Sequence, residues 1–66
     1  MAQKHLAIRL KALRAKQELT QEGLAKRVNI SRAYLARLEI GRHDPPLSTL
    51  TKLAKALKVK VTELLE

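Results

Sequence analysis

The chain has 66 residues, 45% of them hydrophobic, and a formal charge of +8 from 14 Lys and Arg against 6 Asp and Glu. That length holds one small domain over residues 1–66 and excludes a typical enzyme cleft with water-excluding walls, while the apolar fraction excludes a disordered chain. There is no cysteine for a disulfide framework or a thiolate zinc site, no apolar run near the roughly 18 residues of a membrane span, and no signal-peptide core after Met1, so the expected setting is the cytoplasm.

Apolar spacing is helical throughout. Leu6, Leu10 and Leu13 recur at i, i+4 and i+7, which predicts a first helix over about 4–17. Thr20 is placed to cap a second helix, whose inner stripe is Leu24, Ala25 and Val28. Asn29, tolerant of the left-handed conformation, interrupts it. Ser31 caps a third helix over 32 to about 40 with Leu35 and Leu38 inward, and Gly41 suits the left-handed residue that ends it. Arg42 to Pro46 must be extended, because residues before proline avoid the helical region. A fourth helix carries Leu47, Leu50, Leu53, Ala54 and Leu57, with Lys52 and Lys55 on its outer face. Val59 and Val61 pack at a short bend, and Thr62 to Leu65 form a last turn or short helix. The expected fold is a compact all-α domain of five helices, without strand alternation.

The second and third helices are joined by a turn of about three residues around Asn29, which is a helix-turn-helix arrangement. Ala25 faces the third helix where the two cross, and a larger side chain there would wedge them apart. At about 100° per residue, setting Leu35 toward the core turns Ala33, Ala36 and Arg37 outward, with Arg32 and Tyr34 on opposite flanks. Small residues and arginines on a convex helix suit a major groove about 12 Å wide, where arginine bonds guanine through O6 and N7 and alanine touches a thymine methyl. Arg32 and Arg37 are therefore the first candidates for base contacts, with Ala33 and Tyr34 next; the plainer alternative is a solvated charged face. Gln21 opens the second helix where its side chain and free backbone N–H groups can hold a phosphate, and Ser31, Arg42 and His43 are further candidates for the DNA backbone.

Charge supports the same face. Residues 1–17 hold Lys4, Arg9, Lys11, Arg14 and Lys16 with no acid, and residues 26–43 hold Lys26, Arg27, Arg32, Arg37 and Arg42 against Glu39. The last 23 residues are nearly balanced, with four Lys against Asp44, Glu63 and Glu66, a distribution that separates a polyanion-facing side from a packing side. Two charges break this pattern. Glu39 lies about 40° from Leu35, and Arg14 about 40° from Leu10, each at the edge of an apolar stripe. A charge there is costly unless paired, so an Arg14–Glu39 salt bridge is expected between the first and third helices.

Residues 6–65 resemble the helix-turn-helix family of lambdoid phage repressors, Cro proteins and xenobiotic-response-element-type bacterial regulators. The densest match runs from Leu19 to Gly41 through Thr20-Gln21, Leu24-Ala25, Ile30-Ser31, Leu35 and Leu38-Glu39. The resemblance implies a five-helix DNA-binding domain, usually dimeric, on a pseudo-palindromic operator. It also implies phosphate contact at Gln21, base contact at Arg32, Ala33, Tyr34 and Arg37, and the Arg14–Glu39 pair. Gly23 stands where the family has a helix former and should cost about 1 kcal/mol relative to Ala. Asn29 and Lys58 stand where turn glycines are usual, Pro46 where a serine-type cap is common, and Ile40 where a polar residue is usual.

The expected function is a sequence-specific, double-stranded-DNA-binding transcription regulator, most simply a repressor acting as a homodimer. The chain ends about where such a unit ends, so a dimer would use Val59, Val61, Leu64 and Leu65. A second reading is the antitoxin of a toxin–antitoxin pair, with a protein toxin as an additional partner. A third, a small basic RNA-associated protein, is weakened because Tyr34 is the only aromatic residue for base stacking. No enzyme constellation, cofactor motif or metal site is expected: the acids are scattered, and His5 and His43 lack ligand spacing.

Overall fold

The structure, a computed structural model, describes the backbone of residues 2–66 and the side chains of residues 4–66. Its elements are α1 (Ala2–Lys16), α2 (Gln21–Val28), α3 (Arg32–Glu39), α4 (Leu47–Ala56) and α5 (Val61–Leu65), with no strand among the described residues. The caps are those that local chemistry requires. Thr20 Oγ1 accepts from the Gly23 N–H at 2.9 Å, and Ser31 Oγ accepts from the Tyr34 N–H at 3.0 Å, each satisfying one of the free donors of a helix start. Pro46, extended at φ −67° and ψ 162°, precedes α4.

Four helices end in the same way. Glu18, Asn29, Gly41 and Lys58 adopt positive φ of 59°, 60°, 76° and 60°. Around each, two N–H groups turn back to the last helical carbonyls, as where Gly41 donates to Leu38 and Arg42 to Arg37, at 3.2 and 2.9 Å. This pair of hydrogen bonds closes the helix when the residue after it is left-handed. Asn29 and Gly41 behave as expected. Lys58 takes up the strained geometry that its replacement of a turn glycine implied. Glu18 was not expected to do so, and it ends α1 at Lys16 rather than at 17.

Leu10, Leu24, Leu35, Leu38, Leu53, Leu57 and Leu64 are completely enclosed, so aliphatic side chains from all five helices meet in one core. α1 packs on α3 and α5, α2 on α3 and α4, and α4 on α5. Ala25 is buried at 2% exposure, consistent with a small residue at the α2–α3 crossing. Two apolar positions depart from expectation. Leu47 is 69% exposed because it occupies the first residue of α4, ahead of the point where Leu50 meets the core. Leu64 is fully buried, so it belongs to the core and offers no surface to a dimer partner.

The last helix starts at Val61, one residue earlier than expected. The Glu63 carboxylate accepts from the Lys60 N–H at 2.8 Å and so fixes the start of α5. Arg9 on α1 donates to the Glu63 carbonyl at 3.0 Å, tying α5 to α1.

Candidate nucleic-acid interface

The Ser31 cap starts α3 at Arg32 and places Arg32 and Ala33 in its first turn. The inner side of the helix is held by buried Leu35, Leu38 and Glu39. This anchoring leaves Arg32, Ala33 and Arg37 exposed. Ala36, expected outward, is half-buried, because the flank of a helix wedged between α1 and α2 is partly covered. Tyr34 is also half-buried, packs on the edge of the core, and stands in tilted contact with His43 at a ring distance of 5.8 Å. The contact joins α3 to the loop after it. Arg42 and His43 are exposed in that loop.

Among the described residues, Arg14 and Glu39 form the one salt bridge, with Arg14 Nε 2.6 Å from Glu39 Oε2. Arg14 Nη2 adds a bond to Glu39 Oε1 at 3.0 Å, and Arg14 Nη1 donates to the Leu19 carbonyl at 2.7 Å. The expected pair is thus formed and joins α1, α3 and the turn before α2. Its side chains are nearly covered, at 15% for Arg14 and 2% for Glu39. The hydrogen bond to Glu39 raises the Arg14 pKa above the ordinary arginine value, against the opposing effect of burial. The only acid of α3 is consumed in this pair, and among the described residues Arg32, Arg37 and Arg42 form no salt bridge. An outward row of unpaired guanidinium groups holds a positive potential that a polyanion can neutralise.

Gln21 is placed differently from the expectation. Its side-chain Nε2 donates to Glu39 Oε1 at 3.1 Å, so one amide hydrogen is committed inward. Helical spacing could have found this bond: Gln21 precedes Val28 by seven residues and shares its inner face. The backbone N–H groups at the start of α2 stay available, apart from the Gly23 N–H taken by Thr20. At Gly23 a Cβ would lie 3.1 Å from Thr20 Oγ1, so the glycine leaves the cap room. Toward the C-terminal end, Val59 and Val61 are half-buried against the core and Leu65 is 49% exposed. No three His, Asp or Glu side chains gather as metal ligands among the described residues.

A profile of the helix-turn-helix family matches residues 10–64. Over 54 residues the chain is 48% identical to the immunity repressor protein of Bacillus phage phi105, matching 82% of this chain and 38% of the repressor. It is 41% identical over 56 residues to an HTH-type transcriptional regulator of Methanocaldococcus jannaschii, matching 85% of each. The fold superposes on the restriction-modification controller protein C.AhdI from Aeromonas hydrophila with a TM-score of 0.89 at 34% identity over 92% of both chains. It superposes on the clp gene regulator ClgR from Corynebacterium glutamicum with a TM-score of 0.94 at 29% identity, over 98% of this chain and 69% of that one. The chain therefore spans well under half of the phage repressor and most of the archaeal regulator.

Proposed function

Because the chain belongs to the helix-turn-helix family of DNA-binding transcription regulators, we propose that it represses transcription by binding a pseudo-palindromic operator as a homodimer, with α3 in the major groove. The observation that carries this reading is the outward side of α3: Arg32 and Arg37 are exposed and, among the described residues, in no salt bridge, beside exposed Ala33, on a helix rooted through Leu35, Leu38 and Glu39. A rigid helix with small and guanidinium side chains outward can bring bidentate donors to guanine edges and a methyl group to thymine. Tyr34, tilted against His43, completes the base-reading set from its flank.

The backbone contacts follow from position. Ser31 Oγ accepts from Tyr34 and keeps its own hydrogen for a phosphate oxygen. Gln21 offers its backbone N–H and its second amide hydrogen at the start of α2, while Arg42 and His43 bracket the groove from the other end of α3. The longest dimension of the domain is 26 Å, shorter than the roughly 34 Å between half-sites one helical turn apart. Two copies are thus needed to span two half-sites, and Val59, Val61 and Leu65 are the apolar residues proposed to join them. The phage repressor among the relatives supports repression as the outcome. Nothing in the fold or in these relatives favours the antitoxin reading.

Selection of bound sites from random duplexes tests the proposal. The expected result is a two-fold symmetric consensus, bound far more tightly than random duplex or RNA, with affinity falling steeply as salt rises. Equal affinity for RNA, random duplex and any selected site would remove sequence reading from the account.

A further inference from the structure

Between α2 and α4 runs an open groove of about 510 Å³ that the DNA reading leaves unused. Its floor is apolar, made by buried Val28 and half-buried Ala56, and its rim carries the exposed cations Arg27, Lys52 and Lys55. No carboxylate lines it, and none of the three cations is in a salt bridge among the described residues. α2 packs on α3 with one side and on α4 with another, so this groove lies across α2 from the helix that faces DNA.

The combination of floor and rim decides what fits. The groove adjoins the C-terminal ends of both α2 and α4, where helix dipoles leave partial negative charge. Arg27 and Lys55, in the last turns of α2 and α4, complement those ends. Lys52, a turn earlier, exceeds that need. A compact phosphate seated in the groove would meet two negative helix ends and would cover Val28 and Ala56 without any apolar gain. Carboxylates spread along a peptide would instead meet the cations at the tips of their long side chains. Apolar side chains on the same peptide would fill the floor, for which the volume suffices.

We propose that this groove docks an acidic amphipathic segment of a protein partner, with apolar side chains on Val28 and Ala56 and carboxylates on Arg27, Lys52 and Lys55. Because the groove lies across α2 from α3, the partner would leave α3 free for DNA; that consequence rests on the proposed function, and the docking itself does not.

The test uses the full chain and a short fluorescein-labelled peptide with Leu at helical spacing among Glu residues, followed by fluorescence anisotropy at low salt. A second peptide of equal charge has Ser for every Leu. The expected result is that the Ser peptide binds at least about tenfold more weakly. The variant Arg27→Ser/Lys52→Ser/Lys55→Ser should also bind the Leu peptide about tenfold more weakly, the loss of three exposed charge pairs. Its helical circular dichroism should match that of the parent, since all three side chains are exposed, and the single variant Lys52→Glu gives a second, milder measure of the same loss. Equal binding of the two peptides, or undiminished binding by the variants, overturns the proposal. A duplex arm identifies the competing use: if duplex displaces the peptide and the triple variant lowers the salt slope for duplex by about three, the groove is a seat for the DNA backbone. Failure of operator selection would leave the peptide arm intact, so the two readings fail separately.

Discussion

Arg14 and Glu39 are joined by two parallel hydrogen bonds, at 2.6 and 3.0 Å, across the contact between α1 and α3. Glu39, on α3, also accepts from Gln21, so one buried carboxylate ties α1, α2 and α3 together. Removing Arg14 would leave that carboxylate with one neutral donor. Arg14→Met is expected to cost about 3–5 kcal/mol in urea unfolding, while Arg14→Met combined with Glu39→Leu should regain most of the loss. A single-variant loss near zero would mean that the pair does not hold α1 against α3.

The same pair bears on pH. Its hydrogen bond to Glu39 raises the Arg14 pKa, so the stability it contributes is fully present below the ordinary arginine value. That stability is lost only as pH rises through the raised value of the folded state. Between about pH 6 and 9 the Arg14 contribution is therefore constant. A plot against pH of the stability difference between the parent and the Arg14→Met/Glu39→Leu double variant, which leaves no orphaned carboxylate, should be flat over that interval; a slope there would contradict the assignment.

Lys58 stands at φ 60° with its side chain exposed. The left-handed conformation costs a non-glycine residue roughly 1–2 kcal/mol, partly offset because glycine makes the unfolded chain more flexible. Lys58→Gly is accordingly expected to stabilise the domain by about 0.5–1 kcal/mol, visible as a higher thermal midpoint. Asn29→Gly should change it less, since Asn already tolerates that conformation. A fall in midpoint for Lys58→Gly would show that the Lys58 side chain contributes more than its backbone geometry costs.

What could be read from the sequence was what depends on near neighbours. Thr20 and Ser31 cap because a hydroxyl three residues before a free N–H has one obvious partner, and Gly41 ends α3 because it alone there lacks a Cβ. Arg14 and Glu39 were readable for a different reason, as charges set at the edges of two apolar stripes. Glu18 carried no such signal: nothing in its side chain favours a left-handed backbone, yet that conformation turns the Leu19 N–H back to the Arg14 carbonyl. Leu47 shares the periodicity of the core leucines of α4, while Leu64, beside Leu65, is by sequence alone a candidate for the dimer surface. Only the three-dimensional ends of α4 and α5 decide that one is exposed and the other enclosed. The groove between α2 and α4 was hidden because Arg27 and Lys52 are far apart in the chain.

Base and backbone contacts should differ in their response to sequence. On the selected site, Arg37→Ala is expected to lose about 1–3 kcal/mol and to relax preference at one base pair. Arg42→Ala should weaken all duplexes about equally and reduce the salt slope by about one. Binding measured on the selected site and on single-base variants separates the two. If Arg37→Ala weakens every duplex alike, Arg37 belongs with the backbone contacts.

Leu64 and Leu65 are adjacent and should respond in opposite ways. Leu64 is completely buried, so Leu64→Ala leaves a cavity in the core and is expected to cost about 2–5 kcal/mol. Leu65 is 49% exposed, so Leu65→Glu should change monomer stability little. It should instead place a charge in the proposed dimer contact, where an unpaired buried carboxylate is costly. Analytical ultracentrifugation is expected to show the parent as a concentration-dependent dimer and Leu65→Glu shifted to monomer, with operator affinity falling in parallel because the two half-sites are no longer engaged together. A dimer unaffected by Leu65→Glu would move the interface away from Leu65. The exposed Ile8, Ile40 and Leu47 would then be the remaining apolar positions at which to seek it.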